Sequence, residues 1–296
     1  MQRLVECVPN FSEGRRPEVL NAIADALTAR GGVRLLDIET DADHNRSVFT
    51  LVASPESIVP AMFDGIKTAA SLIDLNQHRG AHPRIGATDV VPFVPLREVE
   101  MAECVVLARE LGRRVGEELQ IPVYLYETAA TRPDRVNLAD IRRGEYEGLK
   151  AEIETNPDRT PDFGPRRLGP AGATVIGARA ALIAYNVFLT TSNVEIAKKI
   201  AKTVRNSTGG LHHVKALGLL VNGKAQVSMN LTDFRKTPLH VAVEWIRREA
   251  TRYGVTIEST ELIGMIPQQA LLDAAVWYLQ LDNFRQEMVL ENRLGE

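Results

Sequence analysis

The spacing of apolar and polar residues divides the chain into two stretches with the same order of predicted elements. Alternating or short continuous apolar runs indicate strands, and apolar positions three to four residues apart indicate helices. The first stretch predicts a strand, a helix, two strands, a helix and a strand over residues 4–8, 16–30, 33–38, 47–52, 55–73 and 90–94. The second stretch repeats this order over residues 181–189, 193–204, 216–221, 226–230, 238–253 and 255–262.

Residues typical of turns and helix starts support the repeat. Asn222-Gly223 separates the strands of the second hairpin, and this dipeptide readily takes the positive φ values of a type I′ turn. A proline opens the second helix of each stretch, directly after Ser54 and after Thr237. Two βαββαβ units in one chain indicate two ferredoxin-like lobes.

We therefore predict an α+β fold of two tandem ferredoxin-like (βαββαβ) lobes, residues 1–178 and 179–296, with mixed sheets packed face to face and helices outside. Each sheet would then bury the face that its own helices leave bare. Further helices are predicted over residues 99–119 and 138–153, with a strand over 123–126, and segment 155–172 is the expected linker because it is rich in Pro, Gly and Asp. We expect the apolar side chains of residues 271–279, with Trp245 and Trp277, to form buried helix core.

Length, charge and cysteine content narrow the class of protein. At 296 residues the chain exceeds what one hydrophobic core usually serves. A net charge of −3, without a basic run, argues against a nucleic-acid partner. The N-terminus lacks the apolar segment of a signal peptide and no apolar run would span a bilayer, so we expect a cytoplasmic protein without a membrane partner. Cys7 and Cys104 are expected to be buried, reduced thiols.

The densest group of reactive side chains lies in residues 78–89, which contain two histidines, two arginines, two glycines and a proline. A loop of this composition needs partners for every buried charge, so we expect it to face a cleft that holds a ligand. Pro83 biases His82 toward an extended backbone, which would hold its imidazole in place. The alternative is a polar connection whose histidines only form hydrogen bonds.

The first predicted hairpin is joined by residues 39–46, which carry three carboxylates, an imidazole, an amide and a guanidinium. This connection exceeds what a hairpin needs, and its carboxylates suit a cationic ligand such as an amidine or the edge of a pterin ring. A solvated turn is the alternative. A metal site built from Asp41, Asp43, His44 and His82 is a third interpretation, but no metal-binding motif supports it, so we expect no metal.

Two further loops have both a binding and a structural interpretation. In residues 9–15, backbone N–H groups and Ser12 could bind an anionic group, or Ser12 could simply cap the following helix. Residues 162–172 are irregular and cationic, so they could hold a carboxylate tail or serve only as a connector.

Seven separated segments resemble, in order, the formiminotransferase domain family. They are VECVPNFSEGR at residues 5–15, NR at 45–46, HRGAHPRIGATD at 78–89, PVYLYE at 122–127, PDFGP at 161–165, GATVIGAR at 172–179 and LLDAA at 271–275. Together they extend over nearly the whole chain, and their shared order makes the resemblance specific where one segment alone would be weak.

The resemblance implies transfer of a formimino group from N-formimino-L-glutamate to N5 of tetrahydrofolate, a step of histidine degradation, with tetrahydrofolate as co-substrate. It implies a homodimer and small-molecule substrates only. The family's catalytic histidine falls on His82, and its folate-contacting loop falls on Phe163, Gly164, Pro165 and Gly172. Because the chain ends shortly after Leu294, we expect the stand-alone bacterial type, without the cyclodeaminase domain of animal enzymes.

The residue types suit this chemistry. N5 must lose a proton as it attacks the amidine carbon and glutamate must gain one as it leaves, so one imidazole can serve both steps. We predict that His82 is this proton shuttle. A carboxylate from Glu39, Asp41 or Asp43 would stabilise the cationic intermediate. The predicted contacts to the substrates' own polar and carboxylate groups are Asn10, Arg46, Arg84 and Arg179.

Three other functions remain open at this point. The same fold could bind folate without catalysis, could transfer a formyl group between 5-formyltetrahydrofolate and glutamate, or could be a metal-dependent hydrolase built on Asp41, Asp43, His44 and His82. A turnover assay distinguishes a binding protein from an enzyme. Loss of activity with a chelator would identify the metal-dependent hydrolase.

Overall fold

The computed structural model describes residues 3–294 and divides into two compact units, one ending at Ala180 and the other beginning at Ala181. The outermost residues of the two predicted lobes, 1–2 and 295–296, lie outside the described residues. Each unit contains its own β-sheet and its own hydrophobic core. The predicted α+β fold is confirmed.

The first unit is a ferredoxin-like lobe with two added strands. Its strands are β1 (Leu4–Cys7), β2 (Asn10–Phe11), β3 (Val33–Asp41), β4 (Arg46–Ala53), β5 (Thr88–Arg97), β6 (Val123–Glu127) and β7 (Thr174–Ala178), and its helices are α1 (Pro17–Thr28), α2 (Pro55–Leu72), α3 (Met101–Glu118), α4 (Leu138–Ile141) and α5 (Glu145–Glu152). The spatial order of the strands is β3-β4-β1/β2-β5-β7-β6, in which β1 and β2 both lie between β4 and β5. Strands β1 to β5 pair antiparallel with one another, whereas β7 pairs parallel with β5 and with β6, so the sheet is mixed as predicted.

The second unit repeats the ferredoxin-like topology. Its strands are β8 (Ile183–Leu189), β9 (Val214–Val221), β10 (Lys224–Leu231) and β11 (Ile257–Ile263), and they lie in the order β11-β8-β10-β9 with every strand antiparallel to its neighbours. This sheet therefore differs from the predicted mixed one. Asn222 and Gly223 have φ values of 51° and 77°, as the predicted type I′ turn requires. The helices are α6 (Val194–Val204), α7 (Leu239–Arg252), α8 (Gln268–Leu279) and α9 (Leu290–Leu294).

Two predictions about the middle of the chain were wrong. The helix predicted over residues 138–153 is broken into α4 and α5 at Gly144, whose φ of 85° a helix cannot accommodate. The expected linker, residues 155–172, belongs to the first unit, because Phe163 and Leu168 pack against its core and β7 follows in the same sheet.

The predicted burial of the aromatic residues of α7 and α8 was also wrong. Trp277 and Leu271 on α8 are 50% and 52% exposed, and Trp245 on α7 is 41% exposed. Only Ala270 of α8 is buried, so the apolar face of this helix is not a core element among the described residues. Both cysteines are buried and free as predicted, and burial raises the pKa of Cys104 to about 12.

The sheet of the first unit has two differently covered faces. Alternate residues of its strands, such as Phe11, Phe49 and Phe93, pack with α1, α2 and α3 in the main core. On the opposite side, which we call the second face, Tyr124 and Tyr126 pack with residues of α4 and α5. The second face also carries the polar side chains of β2, β3 and β4, and these form the candidate site.

Candidate functional site

Four predicted binding residues share the second face of the first sheet. Asp41 on β3 is the register partner of Arg46 on β4, and Val48 is the partner of both Glu39 and Asn10. Register partners project from the same side of a sheet. The side chains of Asn10, Glu39, Asp41 and Arg46 therefore lie on one face.

The connection between β3 and β4 is shorter than predicted. β3 extends to Asp41 and β4 begins at Arg46, so only four residues form the turn, and the interpretation of residues 39–46 as an over-long loop was wrong. Asp41 anchors the turn by accepting hydrogen bonds from the backbone N–H of His44 at 2.8 Å and from its ring Nδ1 at 2.6 Å. These bonds lower the pKa of Asp41.

The loop that carries His82 packs directly on this turn. Ala81 N–H donates to the carbonyl oxygen of Asp43 at 3.2 Å. The side-chain amide of Asn45 donates to the backbone carbonyl oxygen of Arg79 at 3.0 Å. A Cβ on Gly80 would lie 2.2 Å from the carbonyl oxygen of His44, so only glycine allows this approach. The sequence around His82 thus fixes its position relative to β3 and β4.

His78 and Arg84 hold this loop from inside. His78 is buried, its Nε2 donates to the carbonyl oxygen of Asn45 at 3.0 Å, and its Nδ1 accepts from Nε of Arg84 at 3.2 Å. Both terminal nitrogens of Arg84 donate to α5, to Glu145 at 3.0 Å and to Glu147 at 2.8 and 2.9 Å. Arg84, which we predicted to bind a substrate carboxylate, is thus buried and engaged by protein carboxylates.

His82 is half-buried and directly contacts one cation. Its Nε2 lies 2.9 Å from Nη1 of Arg46, and because a guanidinium can only donate, Nε2 accepts and the ring proton resides on Nδ1. Burial first, and then the charges of Arg46, Arg142 and His44, lower the pKa of His82 to about 3, against the opposing effect of Asp41. The imidazole is therefore neutral at physiological pH in the unliganded protein.

Arg142 is a member of this site that the sequence did not indicate. It follows the last residue of α4, and its Nη2 donates to the buried carboxylate of Asp89, which also accepts from the backbone N–H of Ile85 at 2.8 Å. Within residues 3–294, Nε of Arg142 is buried without a hydrogen-bond partner. Arg142 and Asp89 are 53 residues apart in sequence, so no local pattern pointed to their contact.

Arg179 belongs to a second polar group on the same face. Its Nη1 donates to the carbonyl oxygen of Ala180 at 2.9 Å, and it lies beside the carboxylate of Glu6 and the hydroxyl of Tyr126. Burial raises the pKa of Tyr126 to about 12 and also raises that of Glu6, with Arg179 acting in the opposite direction on both. This group contains one cation and one carboxylate in largely buried surroundings.

The predicted folate loop is divided between two places. Phe163 packs on α3, where a Cβ on Gly116 would lie 2.7 Å from the Phe163 side chain, and Gly164 and the half-buried Pro165 follow it there. Gly172 instead bridges to Gly86 in the His82 loop. The structure thus places Gly172 next to the His82 loop and Phe163 in the packing between α3 and β6.

Between residues 3 and 294, no three His, Cys, Asp or Glu side chains are grouped so that they could hold a metal ion. Over that range, no helix combines the length and apolar character that crossing a membrane requires.

Two family models match the chain along almost its full length. The formiminotransferase domain, N-terminal subdomain, matches residues 4–179, and the formiminotransferase domain matches residues 184–293. The chain belongs to the formiminotransferase domain family. The predicted resemblance is thereby confirmed, and the site described above lies within the N-terminal subdomain of this family.

Related formiminotransferase-domain proteins from distant organisms are similar over the whole chain. Glutamate formimidoyltransferase of Thermoplasma acidophilum is 54% identical over 98% of this chain and 97% of its own length. The protein of the same name from Streptococcus pyogenes serotype M1 is 46% identical over 99% of both chains. Formimidoyltransferase-cyclodeaminase of Rattus norvegicus is 44% identical over all of this chain, which covers 57% of the rat protein.

Proposed function

We propose that this formiminotransferase-domain protein transfers the formimino group of N-formimino-L-glutamate to N5 of tetrahydrofolate, giving 5-formiminotetrahydrofolate and L-glutamate in histidine degradation. Full-length similarity to two proteins named glutamate formimidoyltransferase supports this activity. The observation that supports a location for this activity is the neutral imidazole of His82, which contacts Arg46 on the second face near the carboxylate of Asp41. Tetrahydrofolate is a co-substrate in this reaction.

His82 would act as the proton shuttle. The lone pair of N5 forms a bond to the amidine carbon, and the N5 proton passes to the imidazole. The imidazolium then protonates the glutamate nitrogen as the bond between that nitrogen and the amidine carbon breaks. A neutral ring is required at the start because a protonated one has no lone pair to accept a proton. The contact with Arg46 supports this protonation state.

The charges around His82 suit both substrates. Glu39 and Asp41 would stabilise the amidinium of the donor and the cationic tetrahedral intermediate. Arg46 donates to the neutral Nε2 of His82, while the carboxylates of Asp89, Asp41 and Glu39 act on it electrostatically, and its guanidinium is proposed to bind a substrate carboxylate. Arg46 would have to turn from Nε2 toward the substrate before that nitrogen could accept a proton.

The other predicted site residues are proposed to contact folate or to position the His82 loop. Asn10 and Arg179 lie on the second face and are proposed to contact folate. Phe163, Gly164, Pro165 and Gly172 remain the proposed folate loop, in which Gly172 contacts the His82 loop. Arg84 is proposed to position that loop through His78 and α5.

We also propose that the protein works in the cytoplasm as a homodimer, with small-molecule substrates and without nucleic-acid or membrane partners. The net charge of −3 supports the absence of a polyanionic partner. Light scattering coupled to gel filtration would test the dimer, since a single species with the mass of one chain would contradict it.

The activity is tested by mixing the purified protein with N-formimino-L-glutamate and tetrahydrofolate and following both products by mass spectrometry. We expect 5-formiminotetrahydrofolate and L-glutamate in equal amounts, unaffected by a chelator. Binding of tetrahydrofolate without product would indicate a folate-binding protein. Product formed only from 5-formyltetrahydrofolate and glutamate would indicate formyl transfer instead.

A further inference from the structure

Two guanidinium groups beside His82 have donors that the protein itself leaves unused. Arg46 is half-buried, and within residues 3–294 its hydrogen-bond partner is the neutral Nε2 of His82, with no carboxylate in salt-bridge range. Arg142 uses Nη2 to hold Asp89, while its Nε is buried and, in the same range of residues, has no acceptor. A buried donor without an acceptor is rare in proteins and indicates a missing partner.

Both guanidinium groups act on the same imidazole. Nη1 of Arg46 donates to Nε2 of His82 at 2.9 Å, and Arg142 acts on that ring electrostatically. Burial first, and then Arg142, lower the pKa of Arg46. Asp89, held by Arg142, lies close enough to act on Arg46 in the opposite direction. A carboxylate presents two oxygens with several lone pairs, so one carboxylate could accept from both arginines.

We propose that Arg142 is a substrate-binding residue that, together with Arg46, binds the α-carboxylate of the formimino donor beside His82. This inference rests on the proposed function. The α-carboxylate is attached to the carbon that bears the leaving nitrogen, so a donor placed for proton transfer from His82 brings this group next to the imidazole. The γ-carboxylate is farther along the chain of the donor, and the glutamate tail of folate is separated from N5 by the aminobenzoyl ring.

Binding of this carboxylate would also change the basicity of His82. Arg46, Arg142 and His44 disfavour the imidazolium, and Asp41 is the charge that favours it. An added carboxylate between the arginines offsets the positive charges of Arg46 and Arg142 and draws Arg46 away from Nε2. The pKa of His82 should therefore rise when the donor is bound, so that the imidazole becomes a competent base in the complex.

The experiment measures binding of L-glutamate, the product, by calorimetry without folate and without turnover. Two analogues separate its carboxylates: 4-aminobutyrate lacks the α-carboxylate, and L-2-aminobutyrate lacks the γ-carboxylate. Arg142→Gln should weaken L-glutamate binding about 10- to 100-fold, the effect of losing a charged hydrogen bond. The same variant should bind 4-aminobutyrate as the unaltered protein does, and it should keep its preference for L-glutamate over L-2-aminobutyrate.

Two further variants control for structural damage. Arg143 is the next residue, has a side chain that is 77% exposed and, among the described residues, forms its ion pair with Asp140, so Arg143→Gln should bind L-glutamate normally. Arg142→Gln leaves the buried carboxylate of Asp89 without its cation and could unfold the protein. Arg142→Lys keeps a positive charge at this position but loses the bidentate hydrogen-bonding geometry of a guanidinium. This variant should therefore fold and still bind L-glutamate more weakly than the unaltered protein.

Three results would overturn the inference. They are normal L-glutamate binding by both Arg142 variants, an equal loss of affinity for 4-aminobutyrate, and a pKa of His82, followed by NMR, that stays unchanged on saturation with L-glutamate. Failure of the proposed function gives a different pattern. In that case the selective loss of L-glutamate binding would persist, while the unaltered protein would form no 5-formiminotetrahydrofolate.

Discussion

Replacing Arg46 by Gln should raise the pKa of His82. Nη1 of Arg46 lies 2.9 Å from Nε2, and the imidazole titrates at about 3 instead of its ordinary 6.5. A unit charge about 4 Å from the imidazolium, at an effective dielectric constant of about 20, opposes protonation by about 4 kcal/mol, or about 3 pKa units as an upper limit. Burial is the first cause of the shift and persists in the variant, so we expect a rise of about 1 to 3 units.

The assay is an NMR titration of protein labelled at histidine, with the His82 resonance assigned by its loss in His82→Gln. Arg34→Gln is the matched control, because Arg34 is an exposed arginine on β3, the strand paired with β4, and lies at the end of β3 away from Asp41. It should leave the titration of His82 unchanged. A pKa of His82 that is unchanged or lower in Arg46→Gln would refute the reasoning that this cation keeps the ring neutral.

Three more predictions concern stability. Arg84→Gln breaks the ion pairs to α5 and, since their carboxylates are largely exposed, should lower the free energy of unfolding in urea by only about 1–3 kcal/mol. In the folded protein His82 stays neutral, whereas in the unfolded chain its imidazole takes up a proton below pH 6.5. The free energy of unfolding therefore falls as pH falls from 6.5 toward about 3, by at most about 1.4 kcal/mol per pH unit. Melting measured against pH should show a shallower loss for His82→Gln. Gly86→Ala would place a Cβ 1.9 Å from a carbonyl oxygen and should lower the Tm, whereas Gly148→Ala, with nothing within 4 Å, should not.

The repeat of ferredoxin-like lobes could be predicted because each half carries an unambiguous alternation of helix and strand periods. β7 was missed because it lies between β5 and β6 within the sheet and all five of its residues are buried. A central parallel strand has no alternation of apolar and polar residues, so Thr174–Ala178 showed only a short apolar run with a glycine.

The site was only partly predictable, for two different reasons. Glu39 and Asp41 were assigned to a loop because carboxylates rarely occupy alternate strand positions, but here both lie on β3 and contribute to the candidate site. Arg142 gave no local signal, since its partner Asp89 is 53 residues away and α4 was hidden within a longer predicted helix. The loop that carries His82 could be identified as a candidate because it concentrates so many polar groups.

Turnover by His82→Ala tests the central claim most directly. Its kcat with N-formimino-L-glutamate and tetrahydrofolate should fall by about 10² to 10⁴, the usual contribution of a positioned acid–base group, while folate binding is retained. His44→Ala is the matched control, because its ring lies 6.4 Å from that of His82 and pairs with Asp41, and it should keep most of its kcat. A near-normal kcat for His82→Ala, or an equal loss in His44→Ala, would contradict the assignment of His82 as the proton shuttle.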